Sequence, residues 1–311
     1  MASDGRKVQL LAALALATTA LLWGSNHVAA RAIHNAIPLP ALIFWRWGLA
    51  LAVLLPLALP GLIREREVIR AHAGRLVILG AAGVGLFSVC LYAAAYYSLA
   101  LEVGLINATT PIWVLLLSLA LGATGLRALQ VAGFFLALAG VVLVLMKGDF
   151  AHMATFRPSI GNLWALFAAM LFAWYTYQLG QKPLGLSALS LTVLTAAAGL
   201  FVVFVPIYAA FLMTGGSDPL LSADRPPAAS LAVLYIALGP TLLGNLFWIY
   251  GASRLGAARA GPFLYLSPLA ALVLSVALLG ENVTLFQIVG AAAILGGLWL
   301  SSQGARKASS G

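Results

Sequence analysis

The residues of this sequence with chemistry to offer are polar and aromatic side chains that recur inside long apolar runs. Asn26 lies between Ser25 and His27 in the first run, and Tyr92 and Tyr96 stand four residues apart in the third. In a helix that spacing puts both rings on one face. Asn107, Thr110 and Trp113 surround Pro111. Trp164, Leu171, Tyr175 and Gln178 fall on one helical stripe, with Trp174 and Tyr177 beside it. Thr241, Asn245 and Trp248 form another stripe, and Tyr265 and Ser267 directly precede Pro268. Neutral amides and hydroxyls interleaved with flat rings suit an apolar or aromatic solute carrying a few hydrogen-bonding groups. Aromatic solutes stack on such rings, and an ammonium rests well over a tryptophan or tyrosine face. Amides and freed backbone groups can satisfy a carboxylate without a fixed cation. Asn, Ser and Thr also bond across membrane helices, so the group carries this reading and no single residue does. The candidate solute contacts are Asn26, Tyr96, Asn107, Trp164, Tyr175, Gln178, Asn245, Trp248 and Tyr265. Pro111 and Pro268 are candidate hinges, because a proline inside an apolar helix removes a backbone hydrogen bond and kinks it.

The elements that must hold these residues follow from composition. Of 311 residues, 63% are hydrophobic and only 8% charged, whereas a soluble domain carries about a quarter charged residues. The solvent of this chain is therefore largely lipid. A membrane helix needs about 20 mainly apolar residues, and the runs near 8–30, 41–63, 76–98, 103–121, 128–146, 159–181, 187–213, 229–252, 258–278 and 284–302 meet that length. The segment from Thr214 to Ala228 is a turn-rich polar loop. The first run follows Arg6 and Lys7 but is longer than a signal-peptide core of about 7–15 residues, so it is kept as a span. Trp299 and Tyr208 read as interfacial belt residues.

The net charge of +9 does not mark a nucleic-acid binder, since the basic residues sit in short gaps between apolar runs instead of on one face of a polar domain. On one side of the alternating topology lie Arg6, Lys7, Arg64, Arg66, Arg70, Arg75, Arg127, Lys182, Arg254, Arg259, Arg306 and Lys307. The other side holds Arg31, Lys147, Arg157 and Arg225. Basic loops stay cytoplasmic, which places both termini inside.

The two halves of the sequence resemble one another. Trp23 falls on Trp174 and Arg31 on Lys182 at a shift of 151, and Pro56 on Pro206 at 150. Pro111 falls on Pro268, Gln130 on Gln287, Gly133 on Gly290 and Gly140 on Gly297 at a shift of 157. Residues 1–150 and 151–311 thus read as a first and a second five-helix repeat within one membrane domain. An odd number of spans per repeat starts the second on the opposite face, the inverted plan of many secondary transporters.

The stretch Trp23-Gly24-Ser25-Asn26-His27-Val28-Ala29-Ala30-Arg31, then Pro40 with Arg46, resembles the opening of the drug/metabolite transporter superfamily, EamA type. Tyr96 through Pro111 with Gln130 and Gly133 is similar to its later pattern, which Pro268, Glu281, Gln287 and Gly290 repeat. The resemblance covers about residues 10–303. It implies a ten-helix bacterial inner-membrane exporter of aromatic and other neutral amino acids, without cofactor. The first half departs from the pattern by carrying Thr124 where the second carries Glu281.

Other classes fit less well. Glu102 and Glu281 lie at span ends, so no acid is expected inside a span, and proton coupling would lack a carboxylate. Facilitated diffusion or exchange is the expectation. Arg46 sits about one turn from a span end, within snorkelling reach of the interface, and reads as a snorkelling or structural residue ahead of a cavity-facing one; His27 reads as a hydrogen-bonded structural histidine. There is no HExxH, GxSxG or nucleotide-binding motif, which argues against an intramembrane enzyme and direct ATP use. The single cysteine, Cys90, forms no intrachain disulfide, and the histidines at 27, 34, 72 and 152 are too scattered for a metal site. Exporters of other metabolites or drugs, and channels, share the expected fold.

Overall fold

Proline, glycine and charge punctuate the apolar runs, and the runs between them are helical. The computed structural model describes residues 2–121, 128–149, 159–181, 184–222, 227–255, 263–264 and 266–306, among which there is no strand. The helices are α1 (Ala2–Ala32), α2 (Leu39–Arg64), α3 (Arg66–Ala71) and α4, which runs Ala73–Gly80, through a π-helical stretch Ala81–Leu86, to Phe87–Tyr97. Then come α5 (Ala100–Asn107), α6 (Thr110–Ala120), α7 (Ala128–Leu145) and α8 (Ile160–Gln181). Helix α9 runs Ala188–Gly199, π-helical Leu200–Phe204 and Val205–Met213; α10 runs Pro227–Ile236, π-helical Ala237–Leu243 and Gly244–Leu255. The last two are α11 (Leu266–Leu279) and α12 (Leu285–Arg306).

Among the described residues six helices, α1, α2, α4, α8, α9 and α10, are long and apolar enough to cross a membrane, and α7, α11 and α12 are shorter apolar helices. Their outer faces expose Leu57, Phe167, Phe201, Val273 and Leu285. In water such an apolar surface would drive aggregation; against lipid it costs nothing. The inner faces meet around α2, where Leu42, Ile43 and Leu54 pack with Tyr92 of α4, Phe204 of α9 and Ile236 of α10.

The run expected at 103–121 is not one kinked helix. It breaks into α5 and α6 at Ala108–Thr109. The Thr109 hydroxyl donates to the Ile106 carbonyl at 2.6 Å and the Thr110 hydroxyl to the Asn107 carbonyl at 2.8 Å, so side chains satisfy groups that a continuous helix would have paired. Pro111 then occupies the first turn of α6, where its missing N–H costs nothing. Pro268 likewise stands in the first turn of α11, and Tyr265 lies outside the described residues. Gly280, with φ of 64°, ends α11 in the left-handed conformation that glycine adopts without strain.

Lipid offers no hydrophobic force between helices, so close packing through small residues holds them together. A Cβ on Gly24 of α1 would strike the Ser267 carbonyl of α11 and come within 2.7 Å of Ala270 Cβ. A Cβ on Gly85 of α4 would lie 2.5 Å from Val203 of α9. Helices α7 and α12 meet most intimately: a Cβ on Gly140 would lie 2.7 Å from the Gly290 carbonyl oxygen, and one on Gly297 2.5 Å from that of Gly133. Those pairings run in opposite directions along the two chains, so α7 and α12 are antiparallel.

Candidate functional site

The polar residues of α1, α2, α4 and α10 converge in the packed interior. Asn26 is buried and its side-chain oxygen accepts a hydrogen bond from the Tyr92 hydroxyl. Over the Tyr92 ring lies the Arg46 guanidinium, 4.5 Å from the centroid, and it also lies 5.2 Å from the ring of Trp47. Arg46 Nε donates to Thr241 Oγ1 at 3.0 Å, and Trp47 Nε1 donates to Ser88 Oγ at 3.4 Å. The buried imidazole of His27 completes the neighbourhood. Arg46 therefore does not snorkel to an interface. It is only 7% exposed, because α10 and α4 cover it from the side, whatever its distance from the end of its own helix.

Thr241 reaches Arg46 because α10 is not a regular helix there. Gly239–Pro240 falls inside the π-helical stretch, where the Gly244 N–H bonds back to the Gly239 carbonyl. Proline cannot donate and crowds the carbonyl four residues earlier, and a wider turn relieves that crowding; such π segments recur at functional sites. The altered backbone is read by α1. Trp23 Nε1 donates to the Pro240 carbonyl at 3.1 Å, and Thr19 Oγ1 to the Gly244 carbonyl at 3.1 Å. Trp248 packs its ring 5.5 Å from that of Trp23. Asn245 Nδ2 donates to the Thr241 carbonyl at 2.6 Å, one turn from the Arg46 contact.

Of the residues singled out in the sequence, the structure thus brings Asn26, Asn245 and Trp248 into or beside this cluster. Tyr96 stands one turn beyond Tyr92, donating to the Ile37 carbonyl at 2.6 Å and accepting at its own carbonyl from Arg31 at 2.7 Å. Asn107 ends α5 with a buried side-chain oxygen that has no hydrogen-bond partner. Trp164 lies on the exposed side of α8. Tyr175 packs its ring across Gly83 of α4, and the Gln178 carbonyl accepts from Arg75 at 2.6 Å. The α8 residues thus face different neighbours along the helix. His27, Arg46, Trp47, Ser88, Tyr92 and Thr241 are the cluster members not among the candidate solute contacts, although Tyr92 and Thr241 were noted among the polar residues of the runs and Arg46 was visible as a basic residue inside one.

A second expectation changes. Glu102 does lie at a helix end, but it is buried, at 3% exposed. Because α4 stops at Tyr97 and the chain re-enters as α5, Glu102 sits in the first turn of α5 and accepts from Asn162 Nδ2 of α8 at 2.9 Å and Gln287 Nε2 of α12 at 3.4 Å. Glu281 Oε1 accepts from the Ala100 N–H at 3.3 Å close by. Tyr208 is buried, and its hydroxyl donates to Asp218 in the segment after α9.

Two clefts, of 530 and 470 Å³, open on the bundle surface. The first lies between α1, α10 and α11 and is lined by Leu21, Ser25, Tyr235, Leu269 and Val273; the second by Trp45, Leu220 and Val233. Neither is lined by Arg46, Tyr92 or Asn26. The size of a cleft is no guide to chemistry here, since both are nearly all apolar, whereas the closed cluster concentrates the polar groups.

The comparisons with known proteins agree with this architecture. The EamA-like transporter family matches residues 10–146 and 159–303. YyaM of Bacillus subtilis (strain 168), described as an uncharacterized transporter, is 27% identical over 262 residues, 83% of this chain and 82% of its own length. A probable terminal-alkyne amino-acid exporter of Streptantibioticus cattleyicolor is 27% identical over 293 residues, 92% of this chain and 91% of its own length. A solved protein crystal structure superposes with a TM-score of 0.62 at 22% identity, covering 95% of this chain and 98% of that chain, and shares the fold. With its several apolar helices, this chain is a multi-pass membrane protein that belongs to the EamA-like transporter family, a family of transporters and not of enzymes.

Proposed function

We propose that the chain is a secondary transporter that exports aromatic and other neutral amino acids by alternating access between two inverted five-helix repeats, residues 1–150 and 151–311. The observation that carries the reading is the buried cluster of Asn26, Arg46, Tyr92 and Thr241, which joins helices of the first half to α10 of the second. Polar groups inside a membrane protein are costly and mark substrate paths. The similarity to a probable terminal-alkyne amino-acid exporter supports the substrate class.

The seam between α7 and α12 supports the inverted repeat. Under the shift of 157, the Gly140–Gly290 contact maps onto the Gly297–Gly133 contact, so each is the image of the other. An antiparallel contact of that kind follows from a pseudo-two-fold axis in the membrane plane. The family match over each half separately points the same way. In this reading ten spans place both termini in the cytoplasm of a bacterial inner membrane, following the basic loops. Of the remaining candidates, Tyr96, Asn107, Tyr175, Gln178, Asn245 and Trp248 line the solute path at successive stages of opening in this reading. Pro111 and Pro268 act as the hinges at the starts of α6 and α11, and Pro111→Ala and Pro268→Ala are expected to slow turnover while leaving the half-saturation concentration unchanged. A raised half-saturation with normal turnover would instead place these prolines in the solute site.

Labelled phenylalanine in proteoliposomes tests the function. Saturable uptake that accelerates when unlabelled amino acid is loaded on the far side is the expected result, independent of an imposed pH gradient. Glu102 does not compel proton coupling, because Asn162 and Gln287 hold it between three helices. Uptake that rises linearly with concentration, without acceleration, would indicate a pore; no uptake by folded protein would sink the amino-acid assignment. Stoichiometric movement with protons would overturn the exchange reading and make Glu102→Gln the variant to measure next.

A further inference from the structure

Arg46 holds a positive charge in the packed interior with no acid beside it. Among the described residues the ion pairs join only Arg66 and Arg70 to Glu67, on the surface. The guanidinium carbon lies over the rings of Tyr92 and Trp47, and Nε is committed to Thr241. Nη1 is left buried without any hydrogen-bond partner. His27, the titratable group that α1 brings to the neighbourhood, supplies no negative charge. A charge inside a membrane protein is retained at a cost and ordinarily finds a counter-charge. A guanidinium with Nε committed and Nη1 unpartnered keeps N–H donors for a planar oxyanion, and carboxylate matches such donors.

We propose that Arg46 is the receptor for the substrate carboxylate, so that this transporter selects molecules by a free carboxylate beside an apolar or aromatic body. The proposal rests on the reading of the buried cluster as the substrate site. It replaces the expectation that amides and backbone alone receive the carboxylate. Tyr92, held by Asn26, and Trp47, held by Ser88, are positioning residues that fix the plane of the guanidinium. Thr241 links that plane to α10, so arrival of an anion at Arg46 is felt by both halves.

The test uses purified full-length protein in detergent, with thermal unfolding followed in the presence of L-phenylalanine, 3-phenylpropionate, which lacks the ammonium, and L-phenylalaninamide, which lacks the carboxylate. Phenylalanine and 3-phenylpropionate are expected to raise the unfolding midpoint, with half-effects at concentrations at least about 10-fold lower than the amide, as expected for loss of one charge-assisted hydrogen-bonded contact. Arg46→Gln is expected to erase the difference between acid and amide, and Arg46→Lys to keep part of it. A merely structural arginine would lower the midpoint of the variant without changing that ratio. Stabilisation by 3-phenylpropionate but not by phenylalanine would retain the carboxylate receptor and remove the amino-acid reading. If the amide stabilises the wild type as well as the two acids, or if neither acid stabilises it, the proposal falls. Should Arg46→Gln not fold, the acid-to-amide ratio of the wild type and of Arg46→Lys decides alone.

Discussion

Gly140→Leu is expected to lower stability by about 3 kcal/mol or more, although leucine is the better helix former by close to 1 kcal/mol. The reason is the backbone of α12. A Cβ at position 140 would meet the Gly290 carbonyl oxygen at 2.7 Å and the Ile294 backbone nitrogen at 2.9 Å, and main-chain atoms inside a helix cannot rotate away as a side chain can. Gly297→Leu should do the same from the other end of the seam, where the Ala137 nitrogen and Gly133 carbonyl oxygen both lie 2.5 Å from the added carbon. Gly296 is the internal control. A Cβ there would find only Leu136 Cδ2, at 3.9 Å, an ordinary contact. Gly296→Leu should therefore melt within about 0.5 kcal/mol of wild type, followed by thermal unfolding and the monodisperse fraction in detergent. Equal melting of the Gly140 and Gly296 variants would mean the helices do not cross where described.

Asp218→Ala is the second large effect, at about 3 kcal/mol. Asp218 is 6% exposed and serves three donors: Trp45 Nε1 at 2.8 Å, the Tyr208 hydroxyl, and the Leu220 N–H at 2.9 Å. It thereby fastens the segment after α9 to α2 and α9. The Tyr208 ring stacks on Phe44 with centroids 4.3 Å apart, so its hydroxyl has little freedom to find another acceptor. Truncation to alanine leaves the donors facing nothing, whereas Tyr208→Phe removes one bond cleanly and should cost about 1 kcal/mol. Measured in the Asp218→Ala background, Tyr208→Phe should cost almost nothing more. Simple addition of the two losses would show that Tyr208 and Asp218 do not share the bond.

The differences between sequence reading and structure have physical causes that single residues display. Apolar runs located the helices because burial against lipid is a property of each segment alone. Pro111 marked where the fourth run is interrupted, but the hydroxyls of Thr109 and Thr110, which turn back onto Ile106 and Asn107, convert a kink into two helices. Asn26 and Thr241 were legible as polar atoms in apolar surroundings. Arg46 was misjudged because snorkelling distance was counted along α2, while burial is decided by α4 and α10 packing across it. Glu102 escaped for a related reason. Its position near the end of a run says nothing of Asn162 and Gln287, which come to it from 60 and 185 residues away. Trp164 shares a stripe with Tyr175, yet one is exposed and the other packs on Gly83.

Helix α1 leaves the ribosome before the rest of the bundle, and its bonds to α10 are among the last that can form. Trp23 and Thr19 find their acceptors 217 and 225 residues further along the chain, on α10. Until α10 is synthesised these groups have no partner there, and Gly24 has no α11 to receive it. The Asn26–Tyr92 bond, only 66 residues long, is available much sooner. During biogenesis α1 would thus first be retained by α4 and only later locked by the C-terminal half. A truncated or stalled product ending before α10 would leave the Trp23 indole N–H unpaired within the bilayer, while Thr19 keeps its bond to the Ala15 carbonyl; an unpaired polar group of that kind is one that membrane quality-control proteases are able to recognise.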